Sequence, residues 1–410
     1  HLSGCSPFSC CIMSSDEDVY PAAALDASDD DGHGRAFTAA EAHFEGIGLT
    51  TDPSGKDVCR LCFASHDANA WSRAEGSRLI ILSALCTPAP TAPSAPSATP
   101  ATIPGAIQVI SFGGGFNLPL WAAKEQGFFK RHGIEVQHTI TADSKQVFSG
   151  LMAGQYHVAI TALDNIMAYQ EGQGEVKFDP PSDFFGFMGS DDGFLSLVAA
   201  PEVKTFADLK GKTISVDAMS NGFSFALRDM LARNGIKESD VQWARAGGTD
   251  RRFAALMEGQ HAATMLRAPF DLQAKNRGFN QLATTRSTIG NYMGIVGASR
   301  RSWAASNEAQ VVSFIRAYRD AIRWLKMPEN RPQAQALLMK YVPNMNAQIA
   351  AQSGDLLLDP QSGFFSDVQL DDKGIQAVMD LRSKLGESTQ KLTDPSKYVD
   401  KRYWQKAMQP

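Results

Sequence analysis

The chain has 410 residues, a formal net charge of −5, and 43% hydrophobic and 20% charged residues. This composition excludes disordered, collagen-like and disulfide-stapled chains, and the slight acidic excess excludes a general nucleic-acid binder. The length asks for more than one folding unit, and the charge is divided unevenly: residues 1–104 carry 13 acidic and only 5 basic side chains, which leaves the rest slightly basic.

All six cysteines (Cys5, Cys10, Cys11, Cys59, Cys62, Cys86) lie in that first part. Its longest apolar run, Leu79 to Cys86, is far short of the ~20 residues that span a bilayer. With Arg73 and Arg78 near its start and small residues and prolines after it, segment 73–86 has the form of a secretion signal. Residues 87–104 are rich in Pro and Ala and read as an extended tether. The acidic stretch upstream lacks helical or strand periodicity, so residues 1–104 are expected to be a disordered or non-native leader, with residues 1–70 not native structure. Leu82-Ser83-Ala84 resembles a lipidation signal, but Leu85 puts Cys86 one position out of register, so lipid anchoring there is the lesser reading. Cys59-Arg60-Leu61-Cys62 has no second ligand pair and is read as chance.

From Ile107 the pattern becomes regular. Ile107 to Phe112 is a strand, followed by the loop Gly113 to Asn117, a helix from Leu118 to His132 and a closing Gly133. Ile134 to Val136 begins a second strand, a helix runs through Val147 and Met152, and His157 to Ile160 is a third strand before a helix at Asp164 to Gln170. The order recurs about a hundred residues later. Strands at Thr213 to Val216, Val241 to Ala246 and Ala262 to Leu266 alternate with helices at Phe223 to Asn234 and Asp250 to Glu258. Phe184 to Ser190 is strand-like, Phe194 to Ala200 and Tyr292 to Ala298 read as crossing strands, and mainly helices follow: Glu308 to Lys326, Pro332 to Tyr341, Gly374 to Gly386 and a turn at Tyr403. The expected fold class is α/β: two doubly wound lobes with parallel sheets, joined by two crossover strands, with C-terminal helices. The expected division is 105–198 plus 298–410 for lobe 1 and 199–297 for lobe 2, with a hinge at the crossings.

The run Asn117-Leu118-Pro119-Leu120, Ala122, Gly127-Phe128-Phe129 and Gly133-Ile134-Glu135-Val136 resembles the opening of type II periplasmic solute-binding proteins. The similarity is to the branch that takes aliphatic sulfonates, taurine, nitrate or the pyrimidine precursor of thiamine. Leu151, Gly154 and Val158-Ala159, the stretch Asp208 to Ile214, and Tyr398-Val399-Asp400 with Tyr403 and Ala407 fit the same pattern. The resemblance covers about residues 107–408. It implies a periplasmic, monomeric receptor of Venus-flytrap form that delivers a small solute to the membrane permease of an ABC importer, with no cofactor and no nucleic-acid partner. A fungal thiamine-precursor synthase uses the same fold as an enzyme, but its cysteine-rich motif is missing, because residues 107–408 contain no cysteine.

Catalytic signatures are absent. Gly113-Gly114-Gly115 has Leu118 where a dinucleotide fingerprint needs glycine. Gly211-Lys212-Thr213 has Phe206 where a phosphate loop needs glycine, and it precedes a strand rather than a helix. No Gly-x-Ser-x-Gly or His-Glu-x-x-His occurs. The candidate ligand residues are therefore those in loops at strand carboxyl ends, where open α/β sheets bind ligands. They are Gly114, Phe116, Asn117, Thr161, Asp164, Asn165 and Asp192 in lobe 1. In lobe 2 they are Asp217, Met219, Ser220, Asn221, Gly248, Thr249 and Arg267. Arg267 is the favoured anion anchor, with a salt bridge to Asp271 as the competing structural role. Asp164 and Asp217 point to an amine or heterocyclic N–H, while Phe116 and Phe223 offer apolar walls. Ser220-Asn221 and Thr249-Asp250 also read as helix caps. The expected ligand is a small anionic or zwitterionic solute, heteroaromatic in one version.

Overall fold

The computed structural model describes residues 105–141, 143–387 and 391–410. The leader, its signal-like segment, the tether and all six cysteines lie outside the described residues. Ten strands form: β1 (Ile107–Phe112), β2 (Val136–Thr141), β3 (Val158–Ala162), β4 (Phe184–Gly189), β5 (Ser196–Ala199), β6 (Thr213–Val216), β7 (Gln242–Arg245), β8 (Ala263–Leu266), β9 (Asn280–Thr284) and β10 (Ile295–Arg300). The first sheet has the order β2-β1-β3-β10-β4 and the second β7-β6-β8-β5-β9. β1, β3 and β4 are almost wholly buried, which explains their continuous apolar runs: helices cover both faces.

The two sheets share one topology, parallel as expected for the repeated strand–helix units and antiparallel at one strand in each. β10 is antiparallel to β3 and β4, and β5 is antiparallel to β8 and β9. These are the strands that follow a crossing. β4 and β9 end at the carboxyl edge of their sheets. A short link (residues 190–195, then 285–294) carries the chain to the facing sheet, which it enters from that same edge and must run away from. The division expected at 198/199 and 297/298 cuts through β5 and β10, whereas sheet membership puts the crossings at those links.

Several elements differ from the sequence expectation. The first helix runs over Leu118–Glu125 and resumes at Phe128–Arg131, interrupted where Gly127 turns left-handed at φ 71°. β2 starts where a strand was expected to be under way and continues to Thr141. Edge strand β9 and the helices Phe270–Asn276 and Ala347–Leu357 were not anticipated; β9 is half-exposed and lacks an apolar run.

The helix Glu308–Lys326 buries Val311, Phe314, Ile315, Tyr318, Ile322 and Leu325, a 3.6-residue stripe against the first sheet's helices. Phe314 stacks on Phe129 at 5.3 Å. Burying each such side chain contributes about 1.5–3 kcal/mol. A second apolar cluster runs across the lobes, joining Phe148, Leu163 and Tyr292 to Leu195, Ile214 and Phe225. The lobes also meet at Gly222, where a Cβ would lie 2.4 Å from Asp164 Cβ. Replacing Gly222 by Ala should therefore force the lobes apart locally and cost ~1–3 kcal/mol of stability. Chemical denaturation measures it, and an unchanged midpoint would show that the lobes do not press together there.

Candidate functional site

Strand-end segments of the two lobes meet: the loop after β1 reaches the residues after β8 at Gly115 and Ala268, and the segment after β3 reaches that after β6 at Asp164 and Gly222. Arg267, immediately after β8, lies at this junction and is 5% exposed. Its guanidinium sits 4.2 Å from the Phe116 ring centroid and 5.7 Å from that of Phe223, so an aromatic ring from each lobe flanks it. Gly114 makes the first placement possible: it adopts φ 145°, and a Cβ there would lie 3.0 Å from the Phe116 ring. The neighbouring Ala268 carbonyl accepts from the Gly115 N–H at 3.3 Å, tying the end of β8 to the β1 loop.

Arg267 has no hydrogen-bond partner for its guanidinium among the described residues, and its Nη2 is fully enclosed. The carboxylate facing it is Asp191, with Oδ1 at 4.0 Å from Nη2, beyond hydrogen-bond reach. Asp271, the partner considered from sequence, accepts instead from Ser196 Oγ at 3.0 Å and the Leu272 N–H at 2.9 Å. A fully buried cation with its donors unused is costly, so an arrangement of this kind has to be held in place by the surrounding fold.

Asp191 was not singled out in the sequence, although Ser190-Asp191-Asp192-Gly193 is a polar turn ending an apolar strand. Its Oδ1 accepts the N–H of Gly193 at 2.8 Å and faces that of Ile295 at 3.4 Å, while Oδ2 has no partner. Burial pushes its pKa up to about 6, against the opposing pull of Arg267. Asp192, the residue chosen from sequence, is matched by Arg286 at 2.7 and 3.0 Å. Tyr292, on the second crossing, is buried with its pKa raised by burial and by Asp164, and it too went unanticipated.

Asp164 requires a correction. Rather than waiting for a ligand amine, it forms a bidentate pair with Arg382, Nε to Oδ1 at 2.7 Å and Nη2 to Oδ2 at 2.6 Å, with both side chains 1% exposed. Arg382 also donates to the Ser220 carbonyl at 3.1 Å and to Gln173 Oε1 at 2.5 Å. Its helix, Asp372–Leu385, packs against the helix Leu163–Gln170 of the first lobe and Gly222–Arg233 of the second. The Asp164 charge is thus committed to joining the lobes.

Other candidates hold the loops in shape. The Asn117 amide donates to the carbonyls of Phe112 (2.7 Å) and Gly114 (3.2 Å), and Asn165 donates to Thr161 Oγ1 at 3.0 Å. Asn221 caps the helix Gly222–Arg233 through the Ser224 N–H, and the Met219 carbonyl accepts from Arg228. Gly248 precedes the helix Thr249–Met257. Arg252 of this helix, unlike its exposed neighbour Arg251, is buried there, bonding the carbonyls of Gly247 and Met265 and the Thr249 hydroxyl. Asp217 accepts from the Ala218 N–H and lies 3.8 Å from Arg252. The described residues contain no group of three His, Cys, Asp or Glu side chains able to hold a metal ion. His157 accepts from the Gln108 N–H and stacks on Trp303, and burial lowers the pKa of His138 to about 4.

Arg382→Met leaves a buried carboxylate uncompensated and should cost ~3–5 kcal/mol, while Asp164→Leu/Arg382→Met together should cost much less. Denaturation midpoints of the four proteins check it, and additive losses would refute the coupling. The raised pKa of Asp191 means the folded chain holds that proton more tightly than the unfolded one. The contribution of Asp191 to stability should therefore fall as pH rises from 3.8 to about 6 and stay low above it. Asp191→Asn should lack this component of the pH profile.

The NMT1/THI5-like family matches residues 117–331. No curated protein sequence matches the chain. Among solved structures, the periplasmic nitrate-binding protein NrtA of Synechocystis PCC 6803 aligns with a TM-score of 0.62 at 15% identity, covering 74% of this chain and 88% of its own. The periplasmic aliphatic sulphonate-binding protein SsuA of Escherichia coli aligns at 0.57 and 21% identity, covering 73% and 93%. The desulfurization enzyme DSZB aligns at 0.54 and 11% identity, covering 74% and 99%. With two like lobes, two crossings and these structural neighbours, the chain has the type II periplasmic-binding-protein fold and belongs to the NMT1/THI5-like family.

Proposed function

We propose that the protein is the solute-binding component of an ABC importer, capturing a small anionic organic solute between its lobes in the periplasm and presenting it to the membrane permease. The observation that carries this reading is Arg267: a buried guanidinium with no hydrogen-bond partner among the described residues, placed where the two lobes meet. Nitrate- and sulphonate-binding neighbours support the solute class, and among the described residues no helix is long and apolar enough to cross a membrane.

The chemistry suits a carboxylate, sulfonate or other oxyanion. A guanidinium offers a planar fork of donors, and with Phe116 over one face the ligand's oxygens engage its edge. Charge-assisted hydrogen bonds contribute about 1.5–3 kcal/mol each, whereas micromolar affinity needs ~8 kcal/mol. The helix starts at Gly222 and Thr249 supply part of the remainder through their partial positive charge. The flanking rings favour a ligand with an apolar or aromatic body. Closure follows if the solute binds the closed form more tightly than the open one.

DSZB keeps an enzymatic reading open, since this fold also carries catalysis. The described residues hold no cysteine, and the serine–histidine contact they contain, Ser111 Oγ to His138 Nε2 at 2.8 Å, sits on the paired strands β1 and β2 rather than in the strand-end loops. A thermal-shift and calorimetry panel of taurine, methanesulfonate, nitrate, benzoate and an aminopyrimidine tests the proposal. One class should stabilise the protein without being consumed, and Arg267→Ala should weaken its binding by ~2–5 kcal/mol. Unchanged affinity in that variant would remove Arg267 from the site, and product formation would favour the enzyme.

A further inference from the structure

Arg267 and Asp191 are opposite charges that face each other in a dry interior without hydrogen-bonding. They come from different lobes: Asp191 follows β4 at the first crossing, and Arg267 follows β8. Building on the anion-capture reading, we propose that Asp191 takes up a proton as an anion binds at Arg267, so that the protein captures solute and proton together.

While the site holds no anion, Arg267 is the cation that favours an ionised Asp191. The carboxylate is only half served, with Oδ1 turned to the N–H groups of Gly193 and Ile295 and Oδ2 bare. An anion at the guanidinium offsets that cation and puts a second negative charge beside Asp191. Two anions around one guanidinium in a site shielded from water drive one of them to protonate. The proton comes from solvent and adds to Oδ2, which has no donor to displace; the anion keeps its charge and Asp191 becomes neutral. Because burial already holds Asp191 at about 6, the further rise carries it into the neutral range.

The other charged groups nearby are committed. Asp192 is paired with Arg286, and the Arg252 guanidinium is held by the carbonyls of Gly247 and Met265. Tyr318, from the long helix packed on this turn, is hydrogen-bonded to Ser190 Oγ at 3.1 Å and pushed up by burial. Asp271 is the competing acid: it faces Arg267 and is raised by burial, yet each of its two oxygens receives a hydrogen bond, whereas Asp191 Oδ2 receives none.

Calorimetry of the full chain with methanesulfonate, nitrate and benzoate, in bis-tris and in Tris at pH 7 (cationic buffers that do not compete as anions), counts the protons taken up. The expected result is an uptake approaching one proton per bound anion, with affinity weakening up to about tenfold per pH unit above pH 6. Asp191→Asn should abolish both the uptake and the slope, and Asp271→Asn should retain them. Binding without uptake overturns this inference and leaves the anion-capture reading standing. A slope that persists in Asp191→Asn assigns the proton elsewhere and also overturns it. Failure of all three anions to bind at both pH 5.5 and pH 8 overturns both. Should Asp191→Asn not fold, the buffer dependence of the unaltered protein and of Asp271→Asn still separates these results.

Discussion

The chain passes between its two sheets twice, by links too short to reverse direction, so each following strand must run antiparallel to the strands beside it. The carboxyl ends of the parallel strands in both sheets are thereby brought to one junction. Everything of chemical interest follows from this. Loops at those ends are where an α/β sheet leaves backbone N–H groups and side chains free of its ladder. Two sheets meeting edge to edge double that supply and enclose it. Asp191 and Arg267, 76 positions apart in the chain, face each other only because one leaves the first sheet and the other follows a strand of the second.

Arg382 and Arg267, two of the buried guanidinium groups near this junction, serve different ends. Arg382 is satisfied: a bidentate carboxylate, a backbone carbonyl and a glutamine surround it, and it ties a C-terminal helix to both lobes. Arg267 has the same burial and none of these bonds. Unsatisfied buried donors oppose folding, so the free energy that holds Arg267 in place must come from elsewhere. The apolar cluster spanning the lobes and the Arg382 pair are suited to supply it. The charge of Arg382 is thus spent on holding the lobes together, whereas that of Arg267 forms no hydrogen bond among the described residues.

Most of the fold was legible in the sequence. The apolar run Ile107 to Phe112, the repeated strand–loop–helix order and the stripe from Glu308 to Lys326 gave the elements nearly to the residue, because burial on both faces of a sheet or along one face of a helix leaves a local pattern. Edge strand β9 was missed because a half-exposed strand needs no such pattern. The two crossing strands were legible as strands but their direction was not, because strand direction depends on how short a link is in space. At the site, Arg267 and Phe116 were legible as polar and aromatic residues in strand-end loops. Asp191 was overlooked in favour of Asp192, since neighbours in one turn differ only in which of them points inward.

The sequence by itself determined the α/β class, the doubled architecture and the set of loops from which a site can be built. These follow from periodicity and from the residues that end helices and strands, which are local properties. Only the tertiary structure decided which charges are spent and which are free. Asp164 and Arg382 lie 218 positions apart, so nothing in the neighbourhood of either residue announces that they neutralise each other. Arg267, with Asp191 just beyond hydrogen-bond distance, remains unbonded for the same reason. The pairing of a charge is settled by distances across the fold, and a linear pattern of residues does not contain them.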